Sequence, residues 1–419
     1  MEVADQEKRR GFVAALGPGL LFAAAAVGVS HLVQSTRAGA TTGLGLVGVV
    51  LAANAIKYPA FRFGPQYAAA TGASLLDGYR RQGRAALWLY GALTLATMFT
   101  VQAAVTVVTA GLAIVTLGLP AAPLSVSAGI LGVCAVLLAR GGFALLDRLT
   151  KALVAVLTLT TLVATAAVLP RVPWATFALL PSLDGATAPF VVALFGWMPS
   201  AVDVSVWQSL WTLARRDDSG HAPSVRDAMF DFHLGYGGTV VLALCFTLMG
   251  AGVMFGTGAR PADSAAGFAA QILALYTTTL GDWVAPVVGT AALAVMFSTT
   301  LTVLDGFPRA LAALFASRRE DGPAFSRRDY ALGMGVLGVG ALGVIALFLA
   351  SLKTMVDVAT TLSFLTAPAL STLNHRAVTA DHVPAAGRPS RRLRAFSVAT
   401  IGLQAAFAVG YLWFRFGRG

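Results

Sequence analysis

Charge is what this sequence has least of. Only 12% of its 419 residues are Asp, Glu, Lys or Arg, against 57% hydrophobic residues, and mean hydropathy is +0.75. That balance excludes a water-soluble globular domain of this length and identifies an integral membrane protein. Cysteine is almost absent. Cys134 and Cys245 both lie in apolar runs, which excludes a disulfide framework and a thiolate metal site and leaves them as small buried hydrophobes. Acids are the scarcer charge, 19 against 30 Lys and Arg, giving a formal net charge of +11. The basic residues are scattered through many short polar gaps instead of forming one stripe, which argues against nucleic acid as a partner. No nucleophile and base pair, zinc motif or Gly-rich phosphate loop appears at useful spacing, so an enzyme is the least supported class.

Apolar stretches recur from end to end, and the chain has room for about eleven spans of ~20 residues. They fall at about 13–35, 43–68, 86–114, 123–139, 150–169, 188–211, 229–256, 284–312, 330–350, 353–373 and 394–414. The charged start MEVADQEKRR leads directly into a span, so a cleaved signal peptide is not expected. Most of the Lys and Arg fall in alternate gaps, beginning with Lys8, Arg9 and Arg10 and continuing through Arg80, Arg81 and Arg84 to Arg391, Arg392 and Arg394. The positive-inside rule then places the N-terminus in the cytoplasm and the C-terminus outside a cell (inner) membrane. Trp88, Trp174, Trp283 and Trp413 fit interfacial belts.

Gly and Pro punctuate the interiors of several spans: GPG at 17–19, Gly28, Pro59, Gly64 with Pro65, Gly196 and Pro199. Backbone freed by a break cannot be satisfied by lipid, so it must be buried in protein or line a cavity. The breaks in spans one and six start two sets of five helices. That is the pattern of inverted five-helix repeats whose first helices unwind at the substrate site. The expected organisation is one transmembrane domain, 1–419, with a tail at 1–12, repeats at about 13–169 and 188–373, and an extra helix at about 394–414.

Several strings add to this pattern: GPGLL at 17–21 followed by AGA at 38–40, ATGASLLDGYRR ending at Arg81, Met198–Pro199, and FSTTLTVLDGF at 297–307. In order and spacing the chain resembles the natural resistance-associated macrophage protein (Nramp) transporters of divalent metals, which have the LeuT-type fold. The resemblance covers most of the chain. It implies an all-α membrane protein of about eleven helices, a five-plus-five inverted repeat with helices one and six broken, and secondary transport of an ion. The family's metal site joins an Asp-Pro-Gly-Asn motif in span one to a Met-Pro-His motif in span six. Aligned without a gap, Gly28, Val29, Ser30 and His31 stand where the first motif belongs. Met198 and Pro199 match the second, while Ser200 replaces its His and Ser205 a further His five residues on. The metal site is therefore expected to be lost. The donors left to a metal would be His31, Met198 and backbone carbonyl around Ala25, a set with no carboxylate to offset an ion's desolvation.

Ionisable groups inside a membrane are functional candidates by default. His31 lies one turn from Ser35, and Ser30 one turn from Gln34. His31 is read as a substrate or proton-relay residue or as a histidine satisfied between helices. Lys57 occupies the middle of span two, where it supplies positive charge to the central site or pairs with Asp203, Asp305 or Asp357. Arg37 suits an outer-gate ion pair or interfacial snorkelling. Asp203, one turn after Pro199, reads as a proton acceptor or the mate of a buried base. Asp357, four residues after Lys353, suggests an intrahelical pair. Trp197 is expected beside the cavity, and Ser205 and Lys353 join the coupling or gating candidates. The Ser and Thr of FSTTLT at 297–302 and TTLS at 360–363 either line a polar route or bond between helices.

A broken-helix site with hydroxyls, a histidine, a lysine and no ligand acid suits an anion, because half-helix N-termini carry free N–H groups and positive partial charge. The leading reading is a secondary transporter of a small anion, bicarbonate or a short carboxylate, using Gly28, Ser30, His31, Gln34, Lys57, Trp197, Met198 and Ser200. Transport coupled to protons or sodium is expected, with no cofactor, and the partners are a small inorganic or organic ion and the lipid bilayer. The alternative keeps a divalent transition metal on Ala25, His31 and Met198; a second alternative is a sensor or scaffold that has lost transport. Nothing in the sequence sets an oligomeric state.

Overall fold

The structure is a computed structural model that describes residues 18–140, 143–181, 187–219, 223–316, 327–348 and 351–416. The expected tail at 1–12 and the first residues of span one lie outside the described residues. Among the described residues every regular element is helical. The first span is α1 (Pro18–Ala26), a π-helical turn at Ser30–Ser35, and α2 (Thr36–Thr42). It therefore reaches seven residues beyond the end expected at 35. Arg37 consequently lies within a helix and not at its margin.

The span then turns into α3 (Val47–Thr71), followed by the short α4 (Leu75–Gln82), which Ser74 and Asp77 close with a reciprocal capping box. Next come α5 (Arg84–Leu117), α6 (Pro123–Ala139) and α7 (Phe143–Val168). The second broken span is α8 (Ala188–Trp197) and α9 (Val204–Ser219), joined through a cis Met198–Pro199 peptide. It is followed by α10 (Val225–Val253), α11 (Ala265–Leu280), α12 (Ala285–Ala316) and α13 (Arg327–Leu347). The chain ends in α14 (Leu352–Thr379) and α15 (Arg391–Phe416). Apart from α4 and α11, which the sequence left in gaps, these helices account for eleven spans. Two sets of five each open on a broken helix, and α15 is the extra one.

Among the described residues seven helical stretches are long and apolar enough to cross a membrane by those properties alone. α3 is not among them because Asn54, Lys57, Arg62 and Gln66 lower its apolarity. Its polar side chains face protein: Asn54, Lys57 and Gln66 are all buried. By contrast Val339, Val398 and Val409 of α13 and α15 are exposed, as lipid-facing residues should be.

Inside the bundle α10 runs along both halves of the first broken span, α3 packs on α9, α14 on α8, and α5 along α12. Close approach depends on small residues, because apolar lipid supplies no hydrophobic drive for helices to associate. Gly196 is among the tightest cases: a Cβ there would fall 1.9 Å from the Thr360 carbonyl oxygen on α14. Gly196→Ala is expected to destabilise the protein by about 1–3 kcal/mol through overpacking. A thermal melt in detergent checks this. Gly129→Ala is the control, since a Cβ at Gly129 on α6 meets nothing within 4 Å.

Candidate functional site

The two breaks meet at a small, partly open space. Ala25, Ala26, Val29 and Ser30 of the first break face Trp197, Ser200, Ala201 and Val204 of the second. Val101 and Val105 of α5 and Thr299 and Val303 of α12 close the sides, and Trp207 closes the end toward α9. The cavity holds about 30 Å³, room for about two water-sized occupants. Its walls carry hydroxyls and indoles and no carboxylate, thiol, thioether or imidazole. Among the described residues no three His, Cys, Asp or Glu side chains gather anywhere as a metal site would require.

The first break exists because Gly28 ends α1 against the Thr299 side chain, and the chain resumes as a wide π turn. Ser30 lines the cavity, but its hydroxyl donates to the Ala26 carbonyl. His31 does not line it. The ring turns toward α10, with Nε2 2.9 Å from the Thr239 carbonyl oxygen and Nδ1 2.7 Å from both Ala26 O and Ser30 Oγ. The imidazole is thus a strut between the break and α10, because a broken turn leaves carbonyls that need donors. Gln34 also points elsewhere, its amide oxygen accepting from Arg37 at 2.8 Å.

At the second break Met198, matched by position, is directed away from the cavity. Its side chain is fully buried among Val50, Ala53, Leu194 and Phe364. Lys57 reaches the break from α3. Its Nζ donates to Gly196 O at 2.7 Å and Ser200 O at 3.2 Å and lies 5.5 Å from the Phe195 ring centroid. The expected ion pair of Lys57 with Asp203, Asp305 or Asp357 is not formed. Carbonyls released by unwinding take the ammonium, and two of the three acids have other partners. Asp305 holds Arg309 at 2.7 and 2.9 Å and accepts from Tyr330, while Asp357 holds Arg37. Asp203, 1% exposed, has no hydrogen-bond partner on either carboxylate oxygen.

Arg37 and Asp357 form a two-pronged pair at 2.8 and 3.1 Å, bridging α2 and α14. The expected intrahelical pair of Asp357 with Lys353 is replaced by this one: Lys353 is exposed, and a planar guanidinium matches a carboxylate with two parallel bonds. Trp197 both lines the cavity and donates to Ser363 Oγ at 2.8 Å. Ser205 is linked to Asn374, whose amide donates to its hydroxyl at 2.8 Å. Of the two hydroxyl strings, Thr299 reaches the cavity, whereas Thr300 bonds to Thr109, and Thr360 donates within its own helix and accepts from Gln34 of the first span at 3.5 Å.

The sequence reading missed the α5 wall, Trp207 and the polar links made by Asn374. Trp207 carried a signal, being one turn beyond Asp203 and hence on the same face. Val101 and Val105 carried none, since apolar residues inside an apolar helix do not distinguish cavity from lipid.

A membrane bundle in which two broken helices border a small central space between inverted repeats is a secondary transporter. Comparison with known proteins assigns its family. Residues 19–413 match the model of the natural resistance-associated macrophage protein-like (Nramp) family. Uncharacterized protein PM0681 of Pasteurella multocida is 34% identical over 320 residues, 74% of this chain and 73% of the relative. Among solved structures, a mutant of the Eremococcus coleocola manganese transporter superposes with a TM-score of 0.71 at 13% identity, covering 96% of this chain and 86% of the other. A Na⁺-coupled sialic acid symporter superposes with a TM-score of 0.60 at 12% identity, covering 94% and 88%. The chain belongs to the Nramp family and has the LeuT-type fold.

Proposed function

We propose that this Nramp-family transporter carries a small anion, of the size of bicarbonate or a short carboxylate, coupled to protons or sodium. One observation supports the reading above the others. Three of the carbonyls that the helix breaks would offer to a cation accept from the protein's own donors: Ala26 O from Ser30, and Gly196 O and Ser200 O from Lys57. The C-terminal end of α8 carries negative partial charge and the N-terminal end of α9 positive. The Lys57 ammonium covers the former, so the gap between the half-helices is electropositive once the Asp203 carboxylate at the start of α9 is neutralised. Ser200, Ala201 and Val204 of the positive end face the cavity. A divalent metal would meet no anionic donor there and could not recover its hydration. With the N-terminus in the cytoplasm, as the arginine distribution favours, Arg37 and Asp357 lie toward the outside and α4 toward the inside.

Uptake into proteoliposomes tests the proposal, using labelled bicarbonate, formate, acetate and Mn²⁺ with and without proton and sodium gradients. Gradient-driven accumulation of one of the anions, with no Mn²⁺ uptake, is the expected result. Saturable Mn²⁺ uptake lost in Met198→Ala would replace it with the divalent-metal reading, the cargo named for the Eremococcus coleocola protein. Because Met198 is packed in the core, that variant needs a melting curve beside the assay: truncating a buried Met costs about 2–5 kcal/mol. Uptake of neither kind would point to a sensor or scaffold.

A further inference from the structure

We propose that Asp203 and its neighbours on α9 form a binding site for a monovalent cation, a proton or a sodium ion, that drives transport. This rests on the reading of the protein as a coupled carrier but not on the nature of the cargo. Asp203 is 1% exposed, and neither carboxylate oxygen has a hydrogen-bond partner. On α9, which starts at the next residue, the Trp207 indole N–H and both polar atoms of the Gln208 amide are likewise buried and without partners. Satisfied interiors do not leave three such side chains within six residues without a reason. Asp203 immediately precedes α9 and its carbonyl oxygen accepts from the Trp207 backbone N–H at 3.4 Å, so the two residues sit one turn apart on one face of the helix start. Trp207 lines the central cavity, so this face borders the space where cargo would bind.

The charge balance around Asp203 points to a positive occupant. The elements packed on α9 are α3, α1, α12 and α4. From α3 the nearby charge is Lys57, whose donors are directed to Gly196 O and Ser200 O. From α12 it is Asp305, which is closed by Arg309 and Tyr330. α4 and α5 bring Tyr79 and Tyr90 within electrostatic range of the carboxylate, and neither is a cation. An isolated carboxylate in a membrane interior carries a large desolvation cost that only a bound cation removes. Loading that cation changes the charge one turn from the cavity and beside a helix break. Cargo and cation therefore share one electrostatic environment, and each favours the other when their charges are opposite.

Infrared difference spectroscopy of the purified protein reads this carboxyl without any transported solute. Spectra are taken between acidic and alkaline buffers, and separately between sodium and choline buffers. In the proton arm the expected signal is a protonated-carboxyl band that Asp203→Asn removes; in the sodium arm it is a carboxylate shift that the same variant removes. Either result supports the site and names its ion. Tyr90→Phe, which keeps the acid, is expected to shift the midpoint about tenfold in ion concentration if its hydroxyl helps hold the ion. Wild-type and Asp203→Asn spectra that superimpose in both arms would overturn the proposal, whatever the melting curve of the variant. A positive infrared result with no anion uptake would instead reject the anion reading and leave the cation site standing.

Discussion

Lys57→Met is expected to lower uptake at least tenfold, roughly the effect of 1.4 kcal/mol on a rate. Methionine keeps the length and most of the apolar stem, so the change isolates the ammonium. Its removal leaves Gly196 O and Ser200 O without the donor they now share. Each buried acceptor left unmade costs about 1–3 kcal/mol. Against this, a fully buried ammonium is itself costly to desolvate, and an apolar residue removes that cost. The two terms oppose each other, so stability should change much less than transport. Transport has no such compensation, because the gap between α8 and α9 loses its full positive charge. Lys57→Arg should not rescue it: the larger planar guanidinium has no room in a site with no exposed surface, and it cannot place one nitrogen between two carbonyls in the same way. Initial-rate uptake with melting curves for both variants checks this. Unchanged uptake in Lys57→Met would remove the central support for an electropositive break.

The contrast between Lys57 and the breaks it serves shows what a single sequence can and cannot carry. The spans and both interruptions were legible, since apolar length and Gly or Pro inside a span are local properties. The position of Gly28 to His31 at the unwinding of span one was legible for the same reason. Side-chain direction was not. Helical periodicity tells which residues share a face only while the helix persists. At Ser30–Ser35 the turn widens, and His31 points to α10 instead of the cavity. Between Trp197 and Val204, where no helix persists, the same loss of period applies, and Met198 turns into the core although its position in the motif is kept. Long-range pairing was equally out of reach: Lys57 contacts carbonyls 139 and 143 residues away, and backbone acceptors leave no mark in a sequence.

Asp357→Asn is expected to perturb the protein more than Arg37→Ala, although both break the same ion pair. The side chain of Arg37 is 5% exposed and that of Asp357 30% exposed. Removing the arginine leaves a carboxylate that water can reach. Removing the acid's charge leaves a buried guanidinium with one neutral amide oxygen in place of the carboxylate, besides Gln34 Oε1 and the Phe190 ring, 4.6 Å away. Breaking a fully buried pair costs about 3–5 kcal/mol. With Asp357 partly solvated, the arginine deletion should approach the values of exposed pairs, ~1 kcal/mol or less, and the acid substitution should lie between the two. The pair bridges α2, the second half of the first broken span, and α14, the helix on which α8 packs. If it closes the route to the cavity, both variants should make that route easier to open. A cysteine introduced at Ser30 on the cavity wall, in a background with Cys134 and Cys245 replaced, should react faster with a membrane-impermeant thiol reagent. The increase should be greater with Asp357→Asn than with Arg37→Ala. Equal reaction rates in both variants and the parent would mean that the pair fastens the two helices without gating the cavity.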